Sequence, residues 1–366
     1  MAAPQDYFQR IDLTDGDTMM DRSGDNVRED FMDAIYNISP TQCPFMQGIG
    51  RGTSKDVYTS WQQDDLAEPD STNAAKDGAD IGADSSVKAR RTGNINQIST
   101  KSLITTGRAD VVDKAGRSTE MSYQLVKASK ALKRDMEAIL TGNQAATPDA
   151  DGNTASLLGG LRACFRDAIA GSGETTSALV AGDGANGGTT PGTTYIPTDA
   201  TDGTARTLTE TLLKSAIEAC YMNGGDPDTI MCSPTVKTII SSYLYTSSAR
   251  VAALYSQVPQ SKSTGGASAQ ASVDIYISDF GALKIVPNRF QGYDSAVAHA
   301  PRHTDVFVLD MSLWSTLYLR PFKTVDVAKS GDSTKKLLLV DYTLQYKQEM
   351  GSGGVFDVDS TAAMTA

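Results

Sequence analysis

The side chains that most often do chemistry are scarce in this sequence, and their spacing suits none of the usual sites. The chain has 2 His, His299 and His303, four positions apart. A zinc-protease helix sets two His at that spacing with a Glu between them. Here Pro301 lies between them, which breaks such a helix, and both read as loop residues. Asp64, Asp65 and Glu68 could attract a divalent cation, but in a polar Gly- and Ala-rich stretch they read as solvated carboxylates. Asp149-Ala150-Asp151-Gly152-Asn153 starts as a calcium loop does, yet Thr154 stands where that loop turns on Gly and no Glu closes it. Gly171-Ser172-Gly173 falls one residue short of a serine nucleophile elbow. The fragment from Ala328 to Lys335 lacks phosphate-loop spacing and reads as a hairpin turn. Cys43, Cys164, Cys220 and Cys232 have no CxxC spacing and read as reduced thiols. No catalytic, cofactor-binding or metal site is assigned, and the expectation is a protein that is not an enzyme.

Composition agrees with this. At ~150 residues per domain, 366 residues make about two. The net charge is −11, with 36 Asp against 8 Glu and 32 Gly, a mixture that favours turns, caps and strands. General nucleic-acid binding is disfavoured by that sign, although a local basic surface can persist. The first residues hold no apolar core of the ~7–15 residues that an export signal needs, and no run approaches the ~20 of a membrane span. The expectation is a soluble protein made in a cytosol.

Which elements would position any working surface? Residues 1–50 carry nine acidic and three basic residues with apolar islands at Ile35, Ile38, Phe45 and Met46. This reads as an extended arm lying on another surface, or alternatively as a frayed end with one surface helix over 27–37. Val57–Trp61 and 95–109 read as strands joined by a polar segment too long for an ordinary hairpin, which should either be mobile or find its partners outside its own domain. Its return arm holds Lys88, Arg90, Arg91, Lys101 and Arg108, with no acid from 88 to 108. Apolar residues at Met121, Leu125, Ala128, Leu132, Met136 and Ile139 or Leu140 predict a helix over 118–140, with Lys127, Lys130, Lys133, Arg134 and Glu137 on the remainder. A Gly/Thr-rich insertion follows. Thr209 caps a helix to Tyr221, Thr229–Cys232 is a strand, and Ser233-Pro234 opens another helix. Residues 260–272 read as a polar loop, and strands follow at 273–277, 283–286, 306–309, 316–320, 324–328 and 336–347. Few helices separate these strands, so the class is α+β.

Several segments taken in order resemble the major head proteins of tailed double-stranded DNA bacteriophages. They include Asn37-Ile38-Ser39-Pro40-Thr41-x-x-Pro44-Phe45, Trp61-Gln62-x-Asp64-x-Leu66, Arg91-x-x-Asn94-x-x-Gln97-Ile98 and Lys133-Arg134-Asp135-Met136-Glu137. Asp279-Phe280-Gly281, Pro287-Asn288-Arg289-Phe290, Asp310-x-x-Leu313-Trp314 and Tyr318-Leu319-Arg320-Pro321-Phe322 continue the likeness to about residue 350. The resemblance implies a Hong Kong 97-type capsid fold. Residues 1–55 would be an N-terminal arm, 56–110 an extended loop, and 111–142 with 321–350 a peripheral domain carrying a spine helix. Residues 143–320 would be an axial domain including the insertion near 170–206, and 351–366 a C-terminal tail. It further implies self-assembly into pentamers and hexamers of an icosahedral head in the host cytoplasm, around double-stranded DNA held without sequence-specific binding. Portal, scaffold or protease, and decoration proteins are implied partners, with no membrane and no cofactor. Pro44, Phe45, Trp61, Arg90 and Arg91 are expected as assembly contacts. Some relatives of this kind crosslink a loop lysine to an asparagine, but nothing marks Lys76 or Lys88 for that role. A phage tail or tube protein and, more distantly, a metal-dependent hydrolase are the alternatives.

Overall fold

The computed structural model describes residues 32, 35–37, 39–64, 66, 69–78, 80, 89–149, 151–165, 179–180, 188, 196–246, 273–291, 305–329 and 331–359. The loop at 260–272, most of the insertion at 170–206, Asp65, Glu68, Lys88, His299 and His303 lie outside the described residues.

The chain enters the body through the short helix α1 (Pro44–Gly48), whose first position is proline, where a missing N–H costs nothing. Strand β1 (Gly50–Thr53) follows, then β2 (Tyr58–Gln63) and β3 (Arg90–Ile95), which form a separate two-stranded ribbon. The strand expected over 95–109 is interrupted at Asn96: β4 (Gln97–Thr106) changes sheet and ends where Thr106 caps the helix α2 (Gly107–Val111) by accepting from Ala109 N at 3.3 Å. Helix α3 (Glu120–Leu140) is the longest, about 32 Å at ~1.5 Å per residue. It buries Met121, Ala128, Leu132, Met136 and Leu140 of the expected stripe, leaves Leu125 half-buried, and lies across β4.

The second half adds helix α4 (Leu161–Cys164), β5 (Leu179–Val180), α5 (Glu210–Met222), β6 (Thr229–Cys232), α6 (Pro234–Thr246), β7 (Ile275–Ser278), β8 (Gly281–Pro287) and β9 (Val306–Leu309). The predicted caps are present. Thr209 Oγ1 accepts from Leu212 N and Ser233 Oγ from Val236 N, both at 3.3 Å. Then come β10 (Trp314–Val327), β11 (Ser333–Tyr346) and β12 (Gly353–Val355). Strands expected at 316–320 and 324–328 are one element, because the register with β11 shifts between Tyr318 and Lys323 and the resulting bulge accommodates Pro321.

A four-stranded sheet runs β1-β10-β11-β4, with β1 parallel to β10 and the other pairs antiparallel. A six-stranded mixed sheet runs β5-β12-β9-β6-β8-β7. Its middle strands are buried on both faces, and alternation divides them between two cores. Ile230, Cys232, Val306 and Val308 pack with helices α5 and α6. Met231, Phe307 and Leu309 point the other way, into a core shared with α1, α3 and the four-stranded sheet. Residues 351–358, expected as a C-terminal tail, are buried or partly buried, and β12 sits between β9 and β5 inside the six-stranded sheet. Gly354 lets this backbone pass where a side chain could not, since a Cβ there would stand 2.6 Å from Val306 O.

Candidate functional site

Phe45, Trp61 and Arg90, three of the five expected contact residues, are held by partners within their own subunit, and Pro44 opens a helix there. Phe45 is wholly buried, its ring centroid 6.4 Å from that of Trp314. Pro44 starts α1, and the backbone N–H groups that the first turn leaves unpaired, those of Phe45 and Met46, donate to Glu137 Oε1 and Oε2 at 2.8 and 2.9 Å. Asn288 Nδ2 donates to the same Oε1 at 2.8 Å. Glu137 was expected among the polar residues of the helix surface. It is instead fully buried and ties the arm helix, the spine helix and the end of β8 together. Burial pushes its pKa up, and the three donors offset part of that push. Sequence reading missed it; the available signal was a lone acid amid Met136, Ala138, Ile139 and Leu140.

The second cluster is the base of the ribbon. Trp61 on β2 meets Tyr346 edge-on, centroids 5.1 Å apart and planes at 85°. Arg90 Nε donates to Gln63 Oε1 at 3.0 Å, while Nη2 donates to Gln348 Oε1 at 3.1 Å and to Glu349 Oε1 at 2.9 Å. Glu349 is only 3% exposed, and its other oxygen accepts from Gln63 Nε2 at 2.7 Å. A buried carboxylate thus locks both ribbon strands to the end of β11. Asn94 adds a further tie, donating to Leu344 O at 2.8 Å and Gly159 O at 3.0 Å while accepting from Gly159 N at 2.8 Å. Strand alternation turns Arg91 the opposite way. It is exposed, donating to Ser60 Oγ at 2.9 Å, with its guanidinium 5.5 Å from the centre of the Tyr58 ring. Every described residue from 64 to 80, beyond this base, is exposed, and Leu66 is 98% so.

A third cluster sits beneath the six-stranded sheet. Arg162, 4% exposed, reaches Asp305 Oδ2 at 2.9 Å, Asp202 Oδ1 at 2.7 Å and Asp357 Oδ1 at 3.2 Å. Burial, the dominant cause, raises the Asp305 pKa from 3.8 to about 7 against the pull of Arg162. The four cysteines are buried free thiols, and burial lifts Cys43 to about 11 and Cys220 and Cys232 to about 12, so none is a ready nucleophile. Among the described residues no group of three or more His, Cys, Asp or Glu is placed to hold a metal, and no helix is long and apolar enough to cross a membrane. These clusters bind elements of the chain to one another. They are structural chemistry: they brace a body from which the ribbon β2–β3 leads into an exposed segment.

Comparison with known proteins gives that body its kin. The family model described as the SU10 major capsid protein matches residues 10–359. The major capsid protein of Escherichia phage Phieco32 is 24% identical over 349 residues, 89% of this chain and 93% of that protein. Among solved structures, the capsid of Cyanophage A-1(L) aligns with a TM-score of 0.55 at 11% identity, over 91% of this chain and 97% of its own. The capsid of a native GTA particle aligns with a TM-score of 0.54 at 8% identity, over 94% and 99%. The α+β architecture is accordingly that of the Hong Kong 97-type capsid fold. The protein is a non-enzymatic component of a phage virion, and the chain belongs to the SU10 major capsid protein family.

Proposed function

We propose that copies of this subunit form pentamers and hexamers and close into an icosahedral shell that encloses double-stranded DNA. In this reading residues 1–55 are the arm, 56–110 the extended loop, 111–142 with 321–350 the peripheral domain, and 143–320 the axial domain. Residues 351–358 join the axial sheet. The observation that carries the proposal is the ribbon β2–β3: its base is locked by Glu349 and Asn94, while the segment beyond it lies exposed with Leu66 uncovered. An anchored base with a fully exposed segment beyond it is what a lever onto a neighbour requires.

Charge supports the same reading. The described residues 64–80 beyond the ribbon are acidic, with Asp64, Asp70, Asp77 and Asp80 against Lys76. A groove beside the spine is basic, lined by Arg51, Lys130 and Lys133 together with Tyr318 and Phe322. Complementary surfaces on one chain favour its association with copies of itself, and many weak contacts become strong once closure couples them. A subunit of net charge −11 encloses DNA by confinement and not by readout. Portal, scaffold or protease, and decoration proteins complete the particle in this reading. Electron microscopy of the purified, overexpressed protein tests it. Closed shells are the expected result, whereas helical tubes or dispersed monomers overturn the proposal.

A further inference from the structure

One guanidinium, that of Arg162, serves three carboxylates, and they are not held alike. Asp305 and Asp357 are 2% and 5% exposed, whereas Asp202 is 57% exposed and comes to the guanidinium from the surface. The buried pair has further ties: Asp357 N donates to Asp305 Oδ1 at 3.3 Å, and the guanidinium lies 5.3 Å from the centre of the Phe356 ring. Asp357 also stands at φ +58, a conformation unusual for a residue with a side chain and kept only where its surroundings hold it. Two backbone bonds dock the segment that carries Asp202 on the chain after β12, from Arg206 N to Asp357 O at 2.8 Å and from Asp359 N to Arg206 O at 2.7 Å. Arg162 therefore fastens residues 202–206, which lead toward α5, to the body of the subunit.

One positive charge does not balance three negative ones in so dry a place, because each ionised carboxylate disfavours the next. The charges that face Asp305 are Arg162, which favours its ionised form, and Asp357 and Asp202, which oppose it. Arg206 and Asp359 are the other charged residues on the two docked segments. Burial is the strongest influence, and it too keeps the proton on Asp305 up to the neutral range. We infer that the cluster is a pH-operated latch: with a proton on Asp305, Arg162 holds Asp202 and residues 202–206 stay docked on 357–359, and when that proton leaves, the segment is released. Asp202 is the limb that yields. An ionised Asp305 has no route to water and retains the guanidinium, while the half-exposed Asp202 exchanges it for hydration at little cost. Asp357 stays, since its own backbone N–H is bonded to Asp305. The latch works within one subunit and does not rest on shell closure.

Hydrogen–deuterium exchange of the full-length, unassembled protein, corrected for the intrinsic rate at each pH, tests the latch at the amides of Arg206 and Asp359. Their protection should fall about tenfold between about pH 5 and about pH 8, the effect of about one pH unit between the titration of Asp305 in the latched and in the released state. Asp305→Asn, with no proton to lose, should keep both amides protected at both values. Unchanged protection in the parent overturns the inference, and so does an equal fall in Asp305→Asn. A low urea concentration separates release from unfolding of the whole subunit: exchange through local release is insensitive to it, so a rise matching that of the β11 amides also overturns the latch. Asp202→Asn, changed at a half-exposed position, covers the case in which Asp305→Asn misfolds. It removes the charge that yields, so the fall in protection over the same pH range should shrink below about twofold, and a full fall of about tenfold overturns the inference.

Discussion

Arg90 and Arg91 are adjacent in sequence and opposite in duty. Arg90 is spent inside the subunit on Glu349, which is 3% exposed, while Arg91 faces solvent over Tyr58. Charge reversal should separate the two roles. Arg90→Glu sets a second carboxylate beside a buried one and should cost roughly 2 kcal/mol, discounted for the partial exposure of Arg90, read as a lower urea midpoint of the unassembled subunit. Arg91→Glu should leave that midpoint within about 0.5 kcal/mol yet lower the yield of closed shells; unaltered assembly would remove Arg91 from the interface. Glu137 shows the same economy in the core. Glu137→Ala strands the N–H groups of Phe45 and Met46 and the amide of Asn288, with an expected loss of roughly 3 kcal/mol in denaturant unfolding. Glu137→Gln should recover only part of it, since its NH2 would oppose a donor. A lone acid in an apolar run could have drawn attention to Glu137, but its donors come from residues 91, 92 and 151 positions away and are invisible to any local pattern.

At the scale of elements, periodicity and caps were the most legible signals. The stripe from Met121 to Leu140 became α3, and Thr209 and Ser233 capped α5 and α6, because helix patterns are written within a few residues. Sheet partnership is not local. Strand β1 is parallel to β10, pairing Gly50 with Ser315, and β12 inserts beside β9 through backbone contacts that leave no periodic trace. Glycines mark where such elements press together. A Cβ on Gly225, just past the end of α5, would stand 2.1 Å from Gly351 O and 2.6 Å from Gly351 Cα. Backbone cannot step aside as a flexible side chain can, so Gly225→Ala should destabilise the subunit by about 2 kcal/mol. A melting temperature equal to the parent's would show that the 349–351 turn is free to shift away from α5.

For the molecule as a whole, the Arg162 cluster links α4, the approach to β9 and the segment after β12. Because burial raises Asp305 from 3.8 to about 7, the folded state holds this proton more tightly than the unfolded chain does. Its stabilising contribution is full below about pH 4 and is lost as pH rises through about 7. Thermal melts of the subunit across that window should show a decline that Asp305→Asn, with no proton to titrate, removes; the same slope in both proteins would refute the assignment. Scarce His and Cys, an acidic composition rich in Asp and Gly, and a segment between β2 and β3 too long for a hairpin were properties of the sequence alone. They argued against most familiar enzymes and suited contact between copies of one chain, because composition and hydrophobic period are local quantities that need no partner to be read. Tertiary structure alone decided which charges face inward. Arg90, Glu137 and Arg162 look like any surface charge in sequence, and only the convergence of distant strands and helices supplies the partners that make their burial affordable. It also made residues 351–358 part of a core, since a strand edge between β9 and β5 gives that short glycine-rich backbone the hydrogen bonds it cannot form by itself.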